Sequence, residues 1–313
     1  MRPLNNAVKS AILKKAKRIG SAVLIYGLLI LLVYVIIFPF IAKIAASFMS
    51  WNDMFDRTVN LIPREPTLEN YRLVINGTGY FRGLAGSLLT SSIAAIAQTF
   101  VCAMTGYALA KLRGKLSGIV LFLVVLTILI PPQVIMIPLF LKFRFFDVFG
   151  IFGLITGKTL NLIDSIAPMT ILSITGLGLK NGLFIFVMRQ FFKGVPEELE
   201  EAALIDGYDT FRAYLRIILP ISIPMLTTIF ILAFCWQWTD TFYSSIFFGN
   251  FSVVARTTFL VQSNIPGGAH ETAYHANTLL HTGVLLAILP IVVLFIIVQK
   301  KLVTGIERSG IVG

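Results

Sequence analysis

The sequence predicts an all-α, polytopic membrane protein with six transmembrane helices, and three observations predict it. Hydrophobic residues make up 57% of the 313 residues and charged ones only 13%, which excludes an ordinary soluble globule, a disordered chain and a collagen-like repeat. The apolar residues lie in long uncharged runs, which gives a mean hydropathy of +0.86. The formal net charge of +11 is crowded into alternate connections between those runs. In a membrane protein such crowding is an orientation signal before it is a nucleic-acid footprint.

A helix that crosses the hydrocarbon core needs about 20 apolar residues at about 1.5 Å each, because its backbone groups must be satisfied within the segment. Residues 19–42, 83–110, 116–141, 165–188, 217–239 and 279–299 qualify. The first run follows a basic terminus as a signal peptide does, but it is too long and has no small-residue cleavage site, so it reads as a retained span. The second, fifth and sixth are uninterrupted. In the third, Pro131, Pro132 and Pro138 predict a kinked or ended helix, since proline lacks the N–H and clashes with the preceding turn. In the fourth, Lys180, Asn181 and Gly182 interrupt the apolar run. The chain divides into residues 1–82 (basic terminus, first span and outer loop), 83–299 (a five-helix core) and 300–313 (a tail).

Basic residues gather at Arg2, Lys9, Lys14, Lys15, Lys17 and Arg18, at Lys111, Arg113 and Lys115, at Arg189, Lys193, Arg212 and Arg216, and at Lys300, Lys301 and Arg308. The alternate connections are poorer in them. With six spans in a plasma (inner) membrane, the positive-inside rule makes both termini cytoplasmic. The loop 189–216 is then cytoplasmic.

That loop carries the start and stop signals of a short helix over 196–206. Pro196 suits the first helical position, Glu197 and Glu198 oppose the positive end of the helix dipole, and Gly207 can take the left-handed conformation that closes it. Asp209 or Thr210 can cap a second helix that continues into the fifth span. Leu199, Ala202, Ala203 and Asp206 recur at helical spacing, so one face offers a leucine and two methyl groups between glutamates. As a charge run alone, the segment reads as a solvated acidic linker.

Its full string resembles the signature of the permease subunits of binding-protein-dependent ABC importers: Glu-Ala-Ala, three residues, Gly, nine residues, Ile, one residue, Leu-Pro. Glu201, Ala202, Ala203, Gly207, Ile217, Leu219 and Pro220 meet it at every position. The resemblance is to the carbohydrate-importing branch, which includes the second permease subunit of the maltose transporter. It is carried by "RQFF" from Arg189 to Phe192, "IPPQVIMIP" after the third span, Trp238 to Asp240, and the tail from Gln299 to Gly313. It covers residues 83–313 and implies a type I permease core with a cytoplasmic coupling helix.

The resemblance implies several partners: a second homologous permease, two ATP-binding subunits, an extracytoplasmic solute-binding protein and a sugar substrate. It also implies that ATP and magnesium are bound by the ATPase and that this chain needs no cofactor of its own. No Gly-rich phosphate loop ending in Lys-Ser or Lys-Thr occurs in the sequence, so no catalytic residue is assigned. Glu201 is assigned a charged contact with the ATPase, Ala202 and Ala203 close packing, and Gly207 the turn. Asp206 is open between this surface and a local hydrogen bond at the helix end.

The substrate path is carried by Trp236, Gln237, Trp238 and Asp240 at the outer end of the fifth span, where interfacial anchoring accounts for Trp238 equally well. A lysine at the depth of Lys180 must face the bundle or a cavity. It either marks a break between half-helices or meets an acidic or heavily hydroxylated glycan. His270, His275 and His281 are not spaced for one helical face, which argues against a metal site. Cys102 and Cys235 lie in apolar runs and behave as small hydrophobes. Two other classes fit the residues less well. An ion-coupled carrier should have membrane-embedded carboxylates, and the spans hold none between their ends. An intramembrane enzyme should show a Ser/His, paired-Asp or HExxH arrangement, and none lies within a span. An importer of a non-sugar solute stays open.

Overall fold

The computed structural model describes residues 3–112, 114–148, 150–259 and 273–310; within these, the side chains of residues 3–13, 16, 152, 257–259, 273–275 and 300–310 are not described. Among the described residues the architecture is helical, with a single isolated bridge between Phe146 and Leu160. A first helix, α1 (Pro3–Ser47), carries an exposed apolar surface, with Leu24, Ile30 and Leu32 all more than half exposed. Its C-terminal end is held by α2 (Trp51–Phe55) and α3 (Glu69–Thr78): the buried Asn70 amide donates to the carbonyls of Ser47 and Met49.

The core forms around α4 (Tyr80–Lys111). Gly83, Ser87, Thr90, Ser91, Ala94, Ala95, Gln98, Cys102, Ala103 and Gly106 line its buried side, and such small residues let neighbouring backbones approach closely where lipid supplies no hydrophobic drive between helices. The crossing with α9 (Asn181–Lys193) is close at Gly106, where an added Cβ would lie 2.6 Å from the Cβ of Met188. On its other flanks α4 packs against α13 (Ile223–Trp238) and α8 (Ala167–Ile174). The long helix α16 (Ala273–Gly310) packs on α13 and α1.

Lys17–Ser47, Tyr80–Lys111 and Ala276–Gln299 are each long and apolar enough to cross a membrane unaided. Two more spans are bent. The third run folds as α5 (Lys115–Leu129), a 3-10 turn (Pro132–Ile135) and α6 (Met136–Arg144), with a 90° bend where Pro131 and Pro132 were expected to end the helix. The fifth departs from the expected continuous helix. It runs through α11 (Thr210–Ala213), a π turn (Tyr214–Ile218) and α12 (Leu219–Ile221), then bends by 75° into α13. Pro220 and Pro224 each remove an N–H from the ladder, and Ser222 between them ends one helix and begins the next.

The fourth run is two helices, so its crossing is not made by one continuous element. α8 ends at Ile174 with Gly176 at φ 76°, and the Leu177 amide donates to the Leu172 carbonyl, which closes a Schellman cap. The interruption therefore begins before Lys180, whose own φ of 64° makes it the left-handed residue that starts α9. At the far end from Lys111, α6, α8 and α14 (Phe242–Phe247) surround a second core of Phe143, Met169, Tyr243, Phe247 and Phe248, while α7 (Ile151–Thr156) and α15 (Val254–Phe259) follow α6 and α14 in the chain.

Candidate functional site

The C-terminal ends of α4 and α9 and the start of α11 meet beneath a short helix, α10 (Glu198–Ile205). Glu197 precedes it, and its carbonyl accepts from the amides of Glu200 and Glu201. The stop is the one the residues predict. Gly207 lies at φ 85°, the Tyr208 amide reaches the Ala203 carbonyl, and the Gly207 amide reaches that of Leu204. Asp209 then caps α11 by accepting the Arg212 amide at 2.7 Å.

The two sides of α10 differ. Glu200 and Ala203 turn inward. Ala203 is buried, and Glu200 is gripped by the Lys111 ammonium and by the Tyr107 hydroxyl, which donates to it at 2.6 Å. Partial burial raises the Glu200 carboxyl, but the bonds from Lys111 and Tyr107 outweigh it and hold the group below its ordinary value. Tyr107 is itself fixed against Phe192 on α9 and Tyr214 at the start of the π turn, with ring centroids 5.5 and 4.6 Å away. Arg189 completes the floor by donating to the Leu109 carbonyl.

Glu201, Ala202 and Asp206 are exposed on the other side, together with Leu204, Phe211 and Ile205, which is 85% exposed. Ala202 and Ala203, paired in the sequence reading, thus do different work: the first faces outward and the second packs against its own chain. Beside α10 a groove of about 610 Å³ opens between α9 and α13, lined by Phe186, Gln190, Phe191, Lys193, Leu199 and Met225.

The residues assigned to a substrate path separate in the same way. Lys180 and Trp236 come together, the ammonium lying 4.7 Å from the indole centroid. Gln237 is buried against the Met169 sulfur. Trp238 is buried too, stacks on Phe234 and donates to the Ala287 carbonyl. Asp240 accepts the amides of Tyr243 and Ser244 and so caps α14. His270 lies outside the described residues, as does the His275 side chain, and no group of ligands that could hold a metal occurs among those described.

Sequence reasoning missed two sites. One is the grip of Lys111 and Tyr107 on Glu200. The other is Asp164, at φ 67°, whose carboxylate accepts the amides of Gly249, Asn250 and Phe251 and the Asn250 side chain. The Phe251 amide does most to lower that carboxyl, and the Asn250 and Gly249 bonds add to it against slight desolvation.

Spans bent at prolines around a small-residue helix define a polytopic membrane protein. Residues 102–308 match the family described as "Binding-protein-dependent transport system inner membrane component", and the chain belongs to that family. It is 28% identical over 273 residues to the probable starch degradation products transport system permease protein AmyC of Thermoanaerobacterium thermosulfurigenes, covering 87% of this chain and 90% of that one. It is 27% identical over 306 residues to the polygalacturonan/rhamnogalacturonan transport system permease protein YtcP of Bacillus subtilis, covering 93% and 97%. A crystal structure of a bacterial ABC transporter that imports the acidic polysaccharide alginate contains a chain of the same fold, with a TM-score of 0.71, 20% identity, and coverage of 91% and 97%.

Proposed function

We propose that this chain is one membrane-spanning subunit of an ATP-driven importer of sugars or oligosaccharides, and that α10 is the helix through which a separate ATPase moves it. The observation that carries this reading is the division of α10 into an inner side clamped by Glu200 to α4 and an outer side that leaves Ile205, Leu204 and Phe211 bare at the cytoplasmic surface. An exposed apolar tip rimmed by Glu201 and Asp206 fits a cleft with apolar walls and a basic edge. The carbohydrate class is supported by relatives named for starch products and for galacturonans. A second permease, a pair of ATPases and an extracytoplasmic binding protein complete the assembly. Both termini lie in the cytoplasm, and ATP is hydrolysed in the partner.

The proposed mechanism is mechanical. Closure of the ATPases displaces α10, and because the Glu200 grip and the Gly207 turn join it to α4 and α11, spans two and five move with it. Gly207→Pro tests this. Proline cannot adopt φ 85° and lacks the amide that donates to Leu204. In the reconstituted importer the variant should hydrolyse ATP while sugar uptake is lost; full uptake would contradict the role given to α10.

A further inference from the structure

Lys180 sits where a lysine is hardest to keep. It precedes the 13-residue α9, which places it about 20 Å from the cytoplasmic end of that helix, within a hydrocarbon core of about 30 Å. Trp236 on α13 and Gln98 on α4 lie at a similar distance, about 20 Å, from the inner ends of their own helices. The three therefore form one layer, joined by Ser173 and Asn181. The Gln98 amide donates to the Ser173 hydroxyl and the Asn181 amide to the Ser173 carbonyl, while the Gln98 Oε1 and Asn181 Oδ1 atoms are buried without a partner.

Two features of Lys180 go beyond a simple helix break. Its backbone is left-handed, a strained state for a residue with a Cβ, although Gly176, Gly178 and Gly182 show that glycine is used freely around it. Its ammonium rests on the Trp236 ring, and no carboxylate pairs with it among the described residues. A cation over an aromatic face is held in place without being neutralised, and its N–H donors remain available. Lys180 is exposed on this chain, and a charge at that depth has to face a bundle interior or a water-filled cavity rather than lipid.

We infer that Lys180, seated on Trp236, is a binding subsite in the transport path for the carboxylate of an acidic sugar, and that the cargo is a uronate-containing oligosaccharide. The inference rests on the proposed function as a sugar importer and narrows it. An arriving carboxylate supplies the missing counter-charge through a charge-assisted hydrogen bond, whereas a neutral sugar leaves the ammonium uncompensated in a low-dielectric site.

The test uses the assembled importer with its own binding protein in proteoliposomes, with trigalacturonate and trimannuronate as acidic probes and maltotriose as the neutral one. ATP-dependent uptake of a uronate by the wild type is expected. Lys180→Met and Lys180→Gly should each lower it by about tenfold or more, the expected loss for a hydrogen bond to a charged group. Lys180→Arg should retain most of the uptake. Lys180→Gly relieves the backbone while removing the charge, so its loss cannot be blamed on strain. Equal uronate uptake by Lys180→Met and wild type would overturn the inference, as would dissociation of the Lys180→Met complex on size exclusion, which would make the lysine a contact to a partner subunit. Wild-type uptake of maltotriose without either uronate would overturn the inference and leave the importer reading standing. No ATP-dependent uptake of any of the three would count against both.

Discussion

The most exposing perturbation is to loosen the grip on Glu200. The Lys111 and Glu200 side chains are 28% and 13% exposed, so the pair lies between a surface bridge, worth about 0–1 kcal/mol, and a buried one, whose disruption costs about 3–5 kcal/mol. The two partners are not equivalent. Lys111→Met leaves a nearly buried carboxylate with only the Tyr107 hydroxyl and should cost about 2 kcal/mol, a shift of roughly thirtyfold in the docked position of α10. Glu200→Gln keeps an oxygen for Tyr107 and strands only the more exposed lysine, so it should cost about 1 kcal/mol. The double variant should cost less than Lys111→Met alone, because the second change removes the charge that the first left unpaired.

The assay is the number of ATP molecules hydrolysed per sugar imported by the reconstituted complex, with the two single variants and the double forming a cycle. Single effects that simply add would show that the pair does not act as a unit, and full coupling in Lys111→Met would refute the reasoning altogether. The pH dependence is a second check. Because the Glu200 carboxyl titrates lower in the folded chain than in the unfolded one, its contribution is complete above the ordinary value of 4.5 and is lost as the pH falls through the lowered one. Coupling through this pair should therefore be flat between about pH 6 and 8.

Two other variants test the packing that carries the motion. Gly106→Ala would put a methyl group 2.6 Å from the Met188 Cβ and 3.0 Å from the Arg189 amide nitrogen, atoms that cannot swing aside. The crossing of α4 and α9 should open at a cost of about 1–3 kcal/mol, seen as a lower melting temperature of the detergent-solubilised complex; unchanged melting would disprove the close approach. Asp164→Gly keeps the left-handed backbone and removes the carboxylate that gathers the amides of Gly249, Asn250 and Phe251. Hydrogen exchange at those amides should quicken by about tenfold or more, and unaltered protection would show that the carboxylate does not hold the segment.

What could be read from the sequence is what neighbours in the chain decide. Gly207, Asp209 and the prolines of the third span act on backbone within four residues of themselves, so their effects were legible. The bend in the fifth span was equally local. Pro220 and Pro224 stood in plain view, but the apolar run around them suggested continuity. The break in the fourth span was seen at Lys180 and missed at Gly176, because a glycine in an apolar helix does not announce its φ. The grip on Glu200 joins residues 93 apart and the Asp164 clamp residues 87 apart, and a single sequence holds no record of such pairings. The same limit explains why Trp236 to Asp240 were treated as one cluster. Their spacing was visible, but which of them faced Lys180 and which served packing or capping depended on α8, α14 and α16.

The breaks also decide how a push at α10 could travel. Span three turns at Pro131 and span four is interrupted from Thr175 to Lys180, so the inner halves α5 and α9 are connected to their outer halves by hinges rather than by continuous helix. α4 has no such break and runs from the Glu200 grip at Lys111 past Gln98 to Gly86, where an added Cβ would strike the Ser252 carbonyl at 2.0 Å. Of the elements packed at α10, it is a rigid rod beside jointed ones. Under the proposed mechanism, a tilt imposed at its Lys111 end would reach the loop that Asp164 fastens at the other end, whereas the same push on α9 could be absorbed beside Lys180. The inner and outer halves can then change their relative positions at the depth of Lys180 and Trp236 without unpacking the Gly106 crossing, which is where a site that must open alternately to both sides would have to lie.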